Sequence, residues 1–576
     1  MTGPNGTTTD PVLAQLTGPS GPFEIVVEEI LGIPTQVYKQ RMSSLRELVE
    51  QNALRADTEW LVQGDSRYTF GEHDRLARAV AARLTEVGVE RGDRVALCSA
   101  NVPEWVITWW ACAILGAVLV PLNAWWKTEE LEFGLVDSEA KVLIADERRI
   151  ALIRDRLPEM RELRHVFAIG DPGAHPVRAF AELTEADGDP GLPPGFVEED
   201  DLLAILYTSG TTGQPKGATL THRQALANLQ NIIVGGVAAA MRGAPAPEAD
   251  AKVQSASLLI VPLFHVTGCL ATMMLNYALG AKLVLMPVGK FDAEIAMQTI
   301  QDERITSFGG VPTIMWRILE SPNLEKYDLS SVQRASYGGA PAAPELVERI
   351  EKVFPNLRRT LATAYGLTET ASVATAISGE DYFAHPGSVG RPAPTVEARV
   401  VDEEGVDAAP GERGEVWLKG PNVMARGYWR RPDANEASFS EGWFHTGDIG
   451  YLDADGYLYL VDRAKDMIIR GGENVYCVEV EHVLYDHPDV VDAAVVGVPH
   501  KTLGEEVKAV VQLREGSTAT EEDIRAFCKR HLADFKVPAY VQTRSSPLPR
   551  NPAGKVLKNV LRGEETAFAA ADDQTL

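Results

Sequence analysis

The sequence predicts a multidomain α/β protein. A large N-terminal domain should hold two helix-covered sheets and a β-rich part, followed by a small C-terminal α/β domain. Three observations lead there. A chain of 576 residues exceeds what one hydrophobic core supports. Its first two thirds alternate helical stretches with short apolar strands, the grammar of parallel sheets covered by helices. After about residue 395 the text changes to short strands and turns.

The elements follow in chain order. Residues 1–25, rich in Gly, Pro and Thr, are expected to be poorly ordered, and residues 26–464 to form the large domain. "HDRLARAVAARLTEVG" has helical spacing and ends at a glycine, and "DRVALC" after it reads as a strand. "KVLIAD" (141–146), "ASLLIVPL" (256–263) and "AKLVLMP" (281–287) repeat that strand pattern. The apolar run 105–126, "WVITWWACAILGAVLVPLNAWW", is broken by Pro121 and Asn123, and reads as a buried helix and a strand rather than a membrane span. Trp125 and Trp126 in it are expected to serve core packing or an interface before substrate access. Residues 237–251 read as a surface loop, 395–464 as the β-rich part, 465–562 as the C-terminal domain and 563–576 as a frayed tail.

Composition narrows the function. Against 55 basic residues stand 81 acidic ones, a formal charge of -26, which repels polyanions and argues against nucleic acid as a partner. The five cysteines are widely separated without CxxC spacing, so neither a disulfide framework nor a zinc site is indicated. The N-terminal text lacks the basic and apolar regions of a signal peptide, and a cytoplasmic location is expected.

"YTSGTTGQPKG" (207–217) places three glycines, four serine or threonine residues and one lysine between an apolar run and a helical stretch. Such a loop can turn its N–H groups and hydroxyls inward around phosphate oxygens, with Lys216 adding a point charge. It is not a Walker A loop, because Pro215 precedes the lysine and Gly217 follows it. The phosphate contacts would come from Thr208, Ser209, Gly210, Thr211, Thr212, Gly213 and Lys216.

This stretch resembles the phosphate-binding loop of the adenylate-forming superfamily, which contains acyl-CoA synthetases, the adenylation domains of peptide synthetases and luciferases. The remaining motifs occur in order: "PLFHVTG" (262–268), "YGGAP" (337–341), "AYGLTE" (364–369), "GWFHTGDIG" (442–450), "DRAKDMIIRGGENVYCVEVE" (462–481) and "PRNPAGKVLK" (549–558). The resemblance spans about residues 40–562 and favours the acyl-CoA synthetase branch.

It implies a role for each matching residue. Glu369 would hold Mg²⁺, Thr368 would contact the α-phosphate, and Tyr365, with Gly366 beside it, would stack on adenine. Gly338, Gly339, Ala340 and Pro341 would line the adenine face, and Asp448 and Arg463 would bind ribose. Lys555 would bridge the substrate carboxylate and the α-phosphate during adenylation. With Lys555, Thr208 and Glu369, His265 completes the expected catalytic set; it would lie beside the substrate carboxylate and the pantetheine entrance. Val266, Gly268, Gly310, Val311, Tyr337 and Ala364 would line the acyl path. Lys465, where many members carry Asp, would be the hinge of a mobile C-terminal domain whose rotation brings Gly471 and Gly472 beside the pantetheine path.

No Asp or Glu lies between Val261 and Leu275, where amino-acid-activating members place a partner for an ammonium, so an α-amino acid is disfavoured. The implied reaction joins an aliphatic or aromatic carboxylic acid to CoA through acyl-AMP, consuming ATP with Mg²⁺. The alternative is an adenylating amide synthetase, or transfer to a carrier-protein thiol. The expected partners are the acid, ATP and CoA, with a homodimer left open.

Overall fold

The computed structural model describes residues 10–173, 176–185, 188–208, 215–243, 254–310, 312–338, 344–402, 404–463, 466–470, 473–551 and 554–563. The first sheet runs, in spatial order, Lys216–Thr221, Leu202–Thr208, Val118–Pro121, Arg94–Cys98, Val142–Asp146, His165–Ile169 and Arg178–Ala179. Its pairs are parallel except for the hairpin formed by the first two strands.

The second sheet has a parallel centre ordered Glu59–Gln63, Lys282–Leu285, Ala256–Leu259, Ser307–Gly310, Arg334–Gly338 and Ala362–Tyr365. It continues through antiparallel strands including Thr375–Ser378, Ser388–Pro392, Leu458–Arg463 and Trp443–Leu452. The β-rich part therefore extends this sheet. The main core lies between the two sheets. Helix Phe70–Glu86 covers most of the stretch read as helical from His73 and begins earlier, at a capping box of Thr69 and Glu72.

The run 105–126 forms helix Pro103–Leu115 and strand Val118–Pro121, as expected. Trp105, Trp109 and Trp110 are fully enclosed, and Trp110 stacks on Tyr277 with ring centroids 3.9 Å apart. Among the described residues no helix is long and apolar enough to cross a membrane. The two tryptophans after the strand separate: Trp126 is buried in the core, whereas half-buried Trp125 meets Phe264 edge-on at 5.2 Å.

The C-terminal domain carries a five-stranded sheet, in which central Gly504–Leu513 pairs with Val490–His500, Ile468–Arg470 and Tyr540–Arg544. Helices Cys477–Tyr485 and Glu521–His531 close a separate core around Val480, Leu484, Val495, Val507 and Ile524.

Two expectations need correction. Residues 10–25 contain helix Pro11–Thr17 and begin strand Ile25–Ile30. Asp10 caps that helix by accepting from Val12 N–H at 2.9 Å, and Leu16 buries itself with Tyr38, Val234 and Ala238. Helix His222–Met241 also runs through the first part of the supposed loop 237–251, since "VAAAM" continues its apolar face; residues 244–253 lie outside the described residues.

Candidate active site

Parallel strands Ala256–Leu259, Ser307–Gly310, Arg334–Gly338 and Ala362–Tyr365 lie side by side, so the segments leaving their carboxyl ends share one edge of the sheet. That edge is where open α/β sheets bind ligands. His265, Gly310, Gly338 and the turn after Tyr365 all arise there. The hairpin of the first sheet sets Thr208 opposite Lys216, with the Thr208 hydroxyl donating to the Lys216 carbonyl at 3.3 Å. These two residues flank the stretch expected to bind phosphate. Ser209, Gly210, Thr211, Thr212 and Gly213 lie outside the described residues, as do Gly339, Ala340, Pro341, Val311, Lys465, Gly471 and Gly472.

Glu369 is 7% exposed in a short turn of helix, Thr368–Thr370, with Thr368 half-buried beside it. One carboxylate oxygen accepts from the Tyr428 hydroxyl at 2.8 Å. Lys216 Nζ stands 5.2 Å from the centre of the Tyr428 ring, so a cation and a carboxylate meet at one aromatic residue. Tyr428 is placed by a strap: Trp429 N–H donates to the Gly217 carbonyl at 2.7 Å, and Thr219 donates to the Gly427 carbonyl at 2.6 Å. The sequence reading missed Tyr428, whose partner lies 59 residues away.

Tyr365 and Arg463 converge on Asp448. The Tyr365 hydroxyl donates to one carboxylate oxygen at 2.6 Å, and Arg463 Nε lies 2.8 Å from the other. Asp448 raises the basicity of Arg463, and burial pushes the Tyr365 hydroxyl well above its ordinary range. The expected ribose and adenine residues thus form one preorganised group. Gly366 has a structural reason of its own, because a Cβ there would collide with the Ser372 carbonyl.

His265 packs against the Phe264 ring at 4.6 Å, and Gly268 admits the chain beneath it, since a Cβ at that position would strike the Pro262 carbonyl. A π-helix, Thr267–Met274, follows. Among the described residues His265 Nε2 is enclosed without a hydrogen-bond partner. Burial, reinforced by the charge of Lys555, lowers its pKa to about 4. The imidazole is therefore neutral at ordinary pH, and Lys555 of the C-terminal domain is close enough to act on it. Lys555 lies on a tight turn in which its N–H donates to Asn551 Oδ1 at 2.9 Å.

The acyl path is less well matched. Ala364 is half-buried, whereas Val266, Gly268 and Gly310 are buried; Gly338, expected at the adenine face, is half-buried. Tyr337 requires correction: its side chain lies with Phe308, Ala335 and Met315 in the core on the helix-covered side, and its hydroxyl meets that of Tyr382. Strand alternation is the reason, since neighbouring Ser336 is exposed on the opposite face.

Two family models match the chain, AMP-binding enzyme over residues 48–429 and AMP-binding enzyme C-terminal domain over residues 479–555. The chain belongs to the AMP-binding enzyme family. It is 37% identical over 529 residues to a long-chain-fatty-acid–CoA ligase of Bacillus subtilis, covering 86% of this chain and 90% of that protein. It is also 37% identical to a feruloyl-CoA synthase of Amycolatopsis, covering 87% and 94%. Among solved structures, an anthranilate CoA ligase in complex with anthranoyl-AMP matches with a TM-score of 0.80 and 26% identity, covering 91% of this chain and 97% of that one. An amide bond synthetase from Marinactinospora thermotolerans matches with a TM-score of 0.78 and 29% identity, covering 90% and 99%. This AMP-binding enzyme is thus an acyl-adenylate-forming ligase acting on a carboxylic acid with ATP.

Proposed function

We propose that the chain is a Mg²⁺-dependent carboxylic acid:CoA ligase, in which the acid attacks the α-phosphate of ATP and the acyl group of acyl-AMP then passes to the CoA thiol. The observation that carries this reading is that the charge of Lys555, in the C-terminal domain, reaches His265 of the large domain, while Lys216 and Glu369 come together at Tyr428. Adenylation brings an anionic acid to a polyanionic nucleotide, so it needs cations from both sides. Lys216 supplies one from the phosphate-loop hairpin. Lys555 supplies the other from the C-terminal domain.

The donor set suits Mg²⁺, which is ordinarily held by one or two carboxylates together with substrate phosphates rather than by an all-protein cage. Glu369 offers the carboxylate, and among the described residues no cluster of three or more His, Cys, Asp or Glu competes for a metal. When bound, the ion would neutralise charge developing on the phosphates. Tyr428 would orient Glu369, and Asp448, Tyr365 and Arg463 would hold the nucleoside. His265, neutral and with Nε2 unpartnered among the described residues, can accept or donate one hydrogen bond at the acid without adding charge.

The names of the CoA ligases among the relatives support a thiol acceptor, while the likeness to an amide bond synthetase keeps an amine as the second reading. Acceptor dependence separates them. A panel of aliphatic and aromatic acids with ATP and Mg²⁺ should release AMP rapidly only when CoA is added. Rapid release with small amines and none with CoA would replace the first reading by the second.

A further inference from the structure

Directly after Glu369 the backbone enters a conformation that side chains disfavour: Ala371 has φ 51° and Ser372 φ 99°, and neither is glycine. Within the turn, the Leu367 carbonyl accepts from both Thr370 N–H and Ser372 N–H at 3.2 Å, and the Thr370 hydroxyl donates to the Ser372 carbonyl at 3.0 Å. Ala371 and Thr370 are fully enclosed and Ser372 is 8% exposed, so water has little access to the remaining backbone groups.

Two distant asparagines satisfy those groups. Asn422 Nδ2 donates to the carbonyls of Thr370 at 3.0 Å and Val373 at 3.1 Å. Asn228 Oδ1 accepts from Val373 N–H at 3.0 Å. Both side chains are completely buried. Asn228 belongs to helix His222–Met241, which follows the phosphate-loop hairpin, and Asn422 precedes Met424 and Tyr428, which grip Glu369 itself. Met424 N–H donates to the Glu369 carbonyl at 2.6 Å, and Tyr428 holds its carboxylate.

We infer that Asn422 and Asn228 are positioning residues: they hold the left-handed turn at Ala371 and Ser372, and so fix where Glu369 presents its carboxylate. This inference rests on the adenylation reading of the site. A turn that unwound toward ordinary torsions would move Glu369 relative to Tyr365, because Ala374 N–H is tied back to the Tyr365 carbonyl at 2.9 Å. Asn422 carries the larger share, with two bonds.

The test compares the full wild-type chain with Asn422→Ala, Ser372→Gly and the double variant. Hydrogen exchange of the peptide covering 366–375 is measured without ligands, and pyrophosphate release is measured with ATP, Mg²⁺ and the best acid of a panel. Asn422→Ala should speed exchange and slow pyrophosphate release, each by about tenfold, because two buried carbonyls lose their donor. Ser372→Gly relaxes the disfavoured torsion, so in the double variant it should restore pyrophosphate release by about threefold. Should Asn422→Ala fail to fold, Asn422→Ser, which keeps one donor, takes its place and should show the same rescue. Wild-type exchange and rate in the asparagine variant, or a loss that Ser372→Gly does not relieve, would overturn the inference. Absence of pyrophosphate release from the wild type with every acid would overturn the proposed function instead, while the exchange comparison would still report on the turn.

Discussion

Lys555 of the C-terminal domain lies close enough to His265 of the large domain for its positive charge to reinforce the effect of burial and hold the imidazole neutral. Two parts of the chain separated by 290 positions therefore share one electrostatic environment at the carboxyl edge of the central sheet.

The first prediction concerns that histidine. With a pKa near 4, it should stay uncharged through the range where an ordinary histidine titrates. Because the unfolded chain takes up the proton near pH 6.5 and the native site does not, this group lowers stability progressively as pH falls from about 6.5 toward 4. NMR titration of ring-labelled histidines, assigned with His265→Gln, should show a midpoint near 4 in wild type and a higher one in Lys555→Gln. A midpoint near 6.5 in both proteins would contradict the buried, charge-coupled site.

Tyr428→Phe removes the hydroxyl that donates to Glu369 and leaves the ring beside Lys216. Loss of a hydrogen bond to a charged group should slow adenylation by about tenfold. Acid-dependent pyrophosphate release at saturating ATP checks it, and an unchanged rate would separate Tyr428 from the site.

Asp448→Asn removes the carboxylate that pairs with Arg463 while accepting from Tyr365. An amide has one acceptor oxygen for these two donors, so the nucleoside group should loosen. The expected result is an ATP KM raised by about tenfold with a smaller change in kcat, read from ATP titrations.

The sequence named its site residues from contiguous stretches, and among the described ones the structure gathers Tyr365, Asp448 and Arg463 into one group and brings Lys216 and Glu369 to Tyr428. The text at 207–217 read as a loop between an apolar run and a helix, and strand Lys216–Thr221, which closes a hairpin before that helix, was not read. Gly366 is required by a carbonyl six residues later, so local text carried its meaning. Tyr428, Asn422 and Asn228 had no such signal, because their partners lie 59, 52 and 145 residues away. Tyr337 shows the opposite difficulty. A motif places it at the right strand end, but only alternation across the paired sheet shows that its ring enters the core. The early helix had a local signal in Asp10 followed by Pro11, yet its stability comes from packing on Val234 and Ala238.

The most direct test of the account is a two-step single-turnover experiment on wild type and Lys555→Ala, with ATP and acid mixed first and CoA added later. Quenched samples are analysed for acyl-AMP and acyl-CoA. Wild type should accumulate acyl-AMP and convert it to acyl-CoA only after CoA arrives. Lys555→Ala should lose about 10²-fold or more in the first phase, because its charge acts on the adenylation transition state, while supplied acyl-AMP is still converted at a rate close to wild type. Equal damage to both phases, or wild-type acyl-AMP that CoA leaves unconsumed, would contradict the division of labour assigned to Lys555 and the ligase reading built on it.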